Sequence, residues 1–143
     1  MTKIVTKKQL QEQIKNLNNK WKRALADYAN LEKRVQQEKE SFIKFSNAGL
    51  VDKLLAVLDD LERAEKHLKN KGLTMAVNQF RLVLKTEGVE EITALGNRFD
   101  PNSMDCVEMV KGKKNMISEV VLKGYLLNNR VLRPAKVKVG KGE

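Results

Sequence analysis

An apolar repeat without a helix-breaking residue occupies the first third of the chain and constrains its fold more than any other feature. No Gly or Pro occurs before Gly49. Across residues 10–45, apolar residues recur with the alternating spacing of three and four that is typical of a coiled-coil heptad. Ten of the eleven core positions in this frame are apolar, and Glu38 is the exception. The pattern predicts one long helix with a continuous apolar stripe.

A helix with such a stripe needs a partner, because a single helix cannot bury its own apolar side. No second heptad segment of comparable length follows in the chain. We therefore expect a second copy of the chain to supply the partner helix, which gives a homodimer. The alternative is a helix that lies on its own domain. The predicted dimer-interface residues of this helix are Leu10, Ile14, Leu17, Trp21, Tyr28, Leu31, Val35, Phe42 and Phe45.

Two shorter amphipathic helices are predicted next. The segment SNAG, residues 46–49, predicts a break, because Ser and Asn favour caps and Gly weakens a helix interior. The segment KNKG, residues 69–72, predicts a turn between two helices, and the second of these ends near Gly88. Such a hairpin leaves an apolar face exposed, so two chains are expected to form a four-helix bundle. Its predicted interface residues are Leu54, Leu58 and Leu61.

The last third of the chain has the pattern of a small β-domain. The segments CVEMV, MISEVVLKGYLL and RVLRPAKVKV predict strands. Asn128 and Asn129 tolerate the positive φ angles of a tight hairpin turn, and Pro134 predicts an edge or a bulge. One face of the last strand is expected to carry Val131, Arg133, Ala135, Val137 and Val139.

The predicted fold class is therefore α+β. Three domains are expected: a long dimerising helix at residues 1–48, a helical hairpin of the dimeric four-helix bundle at 49–88, and a C-terminal β-domain at 89–143.

The residues that usually carry catalysis or bind metals are scarce. His67 is the only histidine and is expected at the surface, while Cys106 is the only cysteine and is expected to be buried as a small apolar side chain. One histidine and one cysteine are too few to form a zinc site. Nothing in the sequence places His67 beside a nucleophile in a cleft, as a histidine-based catalytic triad requires. No phosphate-binding glycine loop, membrane span or apolar signal core is apparent. We expect a cytoplasmic protein that is not an enzyme and has no metal and no cofactor.

The net charge of +10 indicates an acidic partner or a charged helix surface. Residues 1–48 carry 11 basic and five acidic side chains. One hypothesis is therefore a basic coiled-coil protein that binds nucleic acid. However, the acidic residues are interleaved with the basic ones, and the aromatic residues lie on the coil seam, where they could not stack on bases. We therefore do not expect nucleic acid to be a partner.

The segment GYLLNNRVLRPAKVKV, residues 124–139, is similar to the pattern G-Y-x-L-N-G-R-V-L-R-P-A-x-V-x-V. This pattern is the C-terminal signature of the GrpE family, which the chain therefore resembles. YANLEKR at 28–34, LLAVLDDLERA at 54–64 and FDPN at 99–102 are similar to further family segments in the same order. The resemblance implies a nucleotide exchange factor for DnaK-type seventy-kilodalton heat-shock chaperones. Such a factor is a parallel homodimer that binds the chaperone's nucleotide-binding domain, opens its cleft and promotes ADP release in protein folding and the heat-shock response.

The resemblance also implies which residues contact the chaperone. Arg130 matches a hairpin arginine that pairs with chaperone carboxylates. Lys33 and Arg34 match two positions of a basic triplet on the long helix, and Gly72 matches a glycine of the inter-helix turn. Three further residues match positions on or near the chaperone-facing β-surface, with packing in the β-core as the alternative for each: Val121, Gly124 and Val139.

Overall fold

The computed structural model describes residues 4–142, and within them lie three helices and six strands. The helices are α1 (Lys7–Phe45), α2 (Ala48–Leu68) and α3 (Lys71–Thr86). The strands are β1 (Val89–Glu91), β2 (Met104–Val110), β3 (Ile117–Leu122), β4 (Tyr125–Leu127), β5 (Arg130–Arg133) and β6 (Ala135–Gly140). The predicted α+β fold class is confirmed. Residues 1–3 and 143, which belong to the predicted terminal domains, lie outside the described residues.

Helix α1 begins at a capping box. The Thr6 backbone N–H donates to Gln9 Oε1 at 2.9 Å, and the Gln9 N–H donates to Thr6 Oγ1 at 3.3 Å. Each bond satisfies an N–H group at the helix start. The chain divides into two compact units, Met1–Ile43 and Lys44–Glu143. All of α1 except its last two residues therefore belongs to the first unit, and the second unit contains every other element.

Helices α2 and α3 form the predicted hairpin, but its turn is shorter than expected. Lys69 ends α2 in the left-handed conformation, with φ of 46°. Asn70 caps α3, because its Oδ1 accepts hydrogen bonds from Gly72 N at 2.8 Å and Leu73 N at 3.3 Å. Gly72 thus lies inside the first turn of α3. The prediction that Gly72 belongs to the turn is wrong, since an asparagine supplies the cap.

The strands form two three-stranded sheets. The first sheet has the antiparallel order β1-β4-β5. The second has the order β2-β6-β3, in which β2 runs parallel and β3 antiparallel to β6. The chain crosses from the first sheet to the second at Pro134, which cannot continue a ladder because it lacks an N–H group. The expected common face is therefore wrong for Val131 and Arg133, which lie in the other sheet from Ala135, Val137 and Val139.

Two hydrophobic clusters form the core of the second unit. One lies between α2, α3 and the first sheet, and its buried members are Val51, Leu55, Leu58, Val77, Leu84, Val89, Tyr125 and Leu127. The other lies under the second sheet and contains Ala94, Met104, Ile117, Ala135, Val137 and Val139. The helical hairpin thus shares a core with β-strands in the same compact unit. The division into three domains stays a prediction, although α1 ends and β1 begins close to its boundaries.

Candidate functional site

The hairpin of β4 and β5 is built on a two-residue turn. Asn128 and Asn129 have φ angles of 47° and 67°, as a type I′ turn requires, so the predicted turn is confirmed. The Asn128 N–H donates to the carbonyl oxygen of Gly88 at 2.9 Å. Its side-chain Nδ2 donates to the carbonyl oxygen of Lys44 at 3.0 Å. Asn128 therefore ties the hairpin tip both to the turn before β1 and to the end of α1.

Arg130 follows this turn and is exposed. Its Cζ lies 5.2 Å from the centroid of the Phe45 ring, which is within the range of a cation–π contact. None of the carboxylates within residues 4–142 forms an ion pair with it. A shallow groove of about 290 Å³ lies beside it, lined by Phe45, Ala48, Leu127, Arg130, Val131 and Leu132. The hairpin thus presents a cation next to an apolar groove.

Arg133 on β5 has the opposite environment. Its guanidinium forms hydrogen bonds of 2.7 and 3.1 Å with the two carboxylate oxygens of Asp59 on α2. It also donates to the carbonyl oxygen of Lys123. Although burial by itself lowers the pKa of Arg133, its hydrogen bonds to Asp59 and the negative charge there raise this pKa above the ordinary value. This arginine stays charged and joins the helices to the sheet.

A second group of charges lies beside the first. Glu62 on α2 accepts hydrogen bonds from Arg81 Nη2 at 2.8 Å and from Lys123 Nζ at 3.3 Å. Glu62 is 13% exposed. Asp59 and Glu62 were not selected from the sequence as site residues, and both are largely buried by their contacts with Arg133, Arg81 and Lys123.

The other β-residues predicted to contact the chaperone differ in exposure. Val121 is 52% exposed and lines a cleft of about 300 Å³ beside Lys123. Val139 is 3% exposed and lies in the core of the second sheet, so the packing alternative holds for it. Gly124 is also buried, and a Cβ there would lie 2.8 Å from the backbone carbonyl carbon of Pro134. Val139 and Gly124 are therefore buried in the single chain, and a chaperone contact by either residue stays a prediction.

Helix α1, in the first unit, carries the remaining predicted basic residues and most of the apolar stripe. Lys33 and Arg34 are exposed, and Arg34 approaches Glu38 at 3.7 Å. None of the side chains of α1, all of them among the described residues, is buried. Eight predicted interface residues are between 46% and 73% exposed: Leu10, Ile14, Leu17, Trp21, Tyr28, Leu31, Val35 and Phe42.

The other predicted interface residues lie in the second unit and are less exposed. Leu58 is 1% exposed, so its place in the dimer interface is wrong: it belongs to the core of its own chain. Phe45 and Leu61 are half-buried against the same core, and Leu54 is also half-buried. Their remaining surface is small compared with that of the α1 stripe.

The residues considered for catalysis are at the surface. His67 is exposed in the last turn of α2, as predicted. Cys106 is exposed on β2, so its predicted burial is wrong: β2 lies at the edge of its sheet. No cluster of three or more His, Cys, Asp or Glu that could hold a metal occurs within residues 4–142. Over the same residues, no helix combines the length and apolar character needed to cross a bilayer.

These features define an α+β protein of the binding type. Its candidate site is the exposed β4–β5 hairpin, which is held in place by contacts with α1 and α2. Comparison with known proteins specifies the class. The GrpE family model matches residues 4–141. Protein GrpE of Clostridioides difficile strain 630 is 39% identical over 94% of this chain and 70% of its own length.

Two further relatives extend this result. Protein GrpE of Enterococcus faecalis is 35% identical over 90% of this chain and 78% of its own length. Protein GrpE of Brachyspira hyodysenteriae is 36% identical over 93% of this chain and 73% of its own length. The chain belongs to the GrpE family, and its function is that of a nucleotide exchange co-chaperone of DnaK. The alternative of a nucleic-acid-binding coiled coil receives no support from these comparisons.

Proposed function

We propose that this protein binds the nucleotide-binding domain of a DnaK-type chaperone through its β4–β5 hairpin and thereby accelerates ADP release. The factor must bind the open arrangement of the chaperone more tightly than the closed arrangement that holds ADP, because only a difference in affinity can shift that equilibrium. No covalent step is required, so the protein acts by binding and not as an enzyme. We propose a cytoplasmic location on the basis of the family.

The exposure of Arg130 within the hairpin signature is the observation that carries this proposal. Several residues of the segment GYLLNNRVLRPAKVKV have a role inside the chain. Gly124 allows close packing, Asn128 closes the turn, and Arg133 pairs with Asp59. Arg130 and its neighbour Val131, which is 37% exposed, instead face solvent. The guanidinium of Arg130 pairs with no carboxylate of residues 4–142 and lies beside an apolar groove, which suits a partner surface with a carboxylate next to an apolar side chain.

Three exposed residues extend the proposed contact. Val121 offers an apolar side chain near the end of β3. Lys33 and Arg34 offer positive charge on α1. We propose that all three contact the chaperone. Gly72 is proposed to act indirectly, through the start of α3, because its N–H is already bonded to the Asn70 cap.

We also propose that the active protein is a homodimer. The apolar stripe of α1 is exposed from Leu10 to Phe42 in the single chain, and an extended stripe at heptad spacing is stable when a second helix covers it. The exposed apolar residues of α2 and α3, among them Leu50, Leu68 and Met75, support a shared bundle with the second copy.

Release of a fluorescent ADP analogue from a purified DnaK-type chaperone tests the function. The wild-type protein should accelerate release strongly. Arg130→Ala should weaken this acceleration about 10- to 150-fold, since a hydrogen bond to a charged group contributes about 1.5–3 kcal/mol. The control is Arg98→Ala, which removes another exposed arginine of the β-region and should leave the rate within about twofold, as surface substitutions usually do.

The two parts of the proposal can fail separately. If the folded wild-type protein does not accelerate ADP release, the exchange function is wrong. If it does so and Arg130→Ala is as active as Arg98→Ala, the exchange function stands and the hairpin is not the contact surface. Circular dichroism of each variant verifies that its helices are intact.

A further inference from the structure

The ring of Phe45 lies against the guanidinium of Arg130, and its position is set by the core of the chain. Phe45 is the last residue of α1. It is half-buried and packs on the hydrophobic cluster between α2, α3 and the first sheet. The Cζ of Arg130 lies 5.2 Å from the ring centroid. Because the core holds the ring, Phe45 provides a platform whose location does not depend on the arginine.

The backbone around this contact is fixed by Asn128. Its side chain donates to the carbonyl oxygen of Lys44, the residue before Phe45, at 3.0 Å. This carbonyl lies in the last turn of α1, where the helix itself provides no partner. The Asn128 N–H donates to Gly88 at 2.9 Å. The hairpin is therefore anchored two residues before Arg130, directly beside the ring that the arginine contacts.

Such an arrangement affects how Arg130 can bind. A free arginine side chain populates many rotamers, and ordering it on association reduces affinity. A guanidinium that rests on an aromatic face loses part of that freedom beforehand and keeps its N–H groups available for a carboxylate. None of the described carboxylates occupies those N–H groups.

We propose that Phe45 is a positioning residue for Arg130: it holds the guanidinium in the orientation in which Arg130 meets a carboxylate of the chaperone. This inference rests on the proposed function, because it concerns the same hairpin contact. It gives a role to the last residue of α1 that differs from dimerisation. It also separates Phe45, which belongs to the second unit, from the other apolar residues of the heptad stripe, which belong to the first unit.

The contact itself is tested without the chaperone. Side-chain proton resonances of Arg130 should show a ring-current shift in the wild-type protein, and Phe45→Leu should abolish it. Phe45→Tyr keeps an aromatic face at the same place and should retain the shift. If the Arg130 resonances are the same in wild-type protein and in Phe45→Leu, the platform does not exist in solution and the proposal is wrong.

The functional role is tested by combining the variants in the ADP-release measurement. Phe45→Leu should weaken the stimulated rate about two- to fivefold, which corresponds to the usual strength of an exposed cation–π contact, and Phe45→Tyr should not. In the Arg130→Ala background, Phe45→Leu should cause no further loss, because the residue that it positions is gone. Thermal unfolding of each variant identifies any loss of folded protein.

The outcomes separate this inference from the proposed function. Equal losses from Phe45→Leu in both backgrounds would show that Phe45 acts only through the fold. A loss with Arg130→Ala but none with Phe45→Leu would overturn the positioning role and leave the chaperone contact intact. If Arg130→Ala accelerates ADP release as strongly as the wild type, Arg130 does not contact the chaperone. The positioning role of Phe45 would then be wrong as well.

Discussion

Arg133 on β5 and Asp59 on α2, which are 74 positions apart in the sequence, form a two-point ion pair across the interface of helix and sheet. Each side chain is only 16% exposed. The same guanidinium donates to the carbonyl oxygen of Lys123 and lies 5.3 Å from the ring centroid of Tyr125. One arginine therefore joins α2, β5 and the connection between β3 and β4. It braces the strands from which Arg130 projects.

Removal of Asp59 should destabilise the protein, because Arg133 is left with an unpaired charge in a largely buried place. We expect Asp59→Ala to lower the free energy of unfolding by about 1.5–3 kcal/mol. Asp60→Ala is the matched control. Asp60 is the next residue of the same helix, and its pair with Arg63 is exposed, with side chains 72% and 69% exposed. The control should change stability by no more than about 0.5 kcal/mol.

Urea unfolding of both variants at the same protein concentration measures the difference. The two substitutions change helix propensity equally, so propensity cancels in the comparison. Similar stabilities for the two variants would show that the Arg133–Asp59 pair does not brace the strands.

Tyr125 should make stability fall at alkaline pH. Burial raises the pKa of this phenol well above its ordinary value, and the carboxylates of Glu62, Glu91 and Asp59 raise it further. The contribution of Tyr125 to the stability of the folded state is therefore complete below the pKa of a tyrosine in the unfolded chain, about 10. It is lost as the pH rises above that value, because the unfolded chain releases the phenol proton while the folded chain keeps it. At about pH 11 this linkage amounts to about 1.4 kcal/mol.

The comparison of wild-type protein with Tyr125→Phe isolates this effect from the titration of lysines. Urea unfolding at about pH 9 and about pH 11 should show a smaller loss for Tyr125→Phe, by about 1.4 kcal/mol. If both proteins lose the same stability over this interval, Tyr125 is not protected from ionisation in the folded state.

The local features of the fold were readable from the sequence, because they depend on local chemistry. The heptad spacing predicts α1, and the Asn128–Asn129 pair predicts the hairpin turn. Two local predictions failed for local reasons: Asn70 supplies the cap where Gly72 was expected in the turn, and Pro134 divides a continuous apolar alternation between two sheets.

The long-range features could not be read in the same way. Asp59 has the pattern of a solvated helix residue, and only the fold reveals that Arg133 lies above it. The platform of Phe45 under Arg130 joins residues 85 positions apart, and no periodicity encodes that distance. A heptad frame assigned Phe45 to the coil seam because it cannot tell where a helix meets its own β-strands. For the same reason, the sequence could not predict whether Val139 and Gly124 are buried or exposed.

Gly124 should tolerate no side chain, although nothing about its φ angle requires glycine. A Cβ at this position would crowd the backbone of Pro134 and Ala135. We expect Gly124→Ala to lower the free energy of unfolding by about 1–3 kcal/mol, the usual effect of overpacking. Gly49→Ala is the control, because Gly49 lies in α2 and a Cβ there would meet nothing within 4 Å apart from its chain neighbours and the adjacent backbone of its own helix. That substitution should be neutral or stabilise by about 0.5 kcal/mol.

Thermal unfolding of the two alanine variants decides the role of Gly124. A strong loss of stability in Gly124→Ala would show that a glycine is needed here because the backbone of Pro134 and Ala135 packs closely against it. If Gly124→Ala is as stable as the wild type but accelerates ADP release from the chaperone only weakly, a direct chaperone contact by Gly124 would be supported instead.

The apolar stripe of α1 should hold two chains together. Leu17 is 64% exposed in the single chain and lies at a core position of the heptad. In a dimer, Leu17→Glu would remove two buried leucines and place two like charges at the seam, so we expect association to weaken about 100-fold or more. Asn19→Glu adds the same charge on the opposite side of the helix and should leave association unchanged. Sedimentation equilibrium over a range of protein concentrations measures both constants. A monomeric wild-type protein, or equal effects of the two substitutions, would contradict a dimer that is built on this stripe.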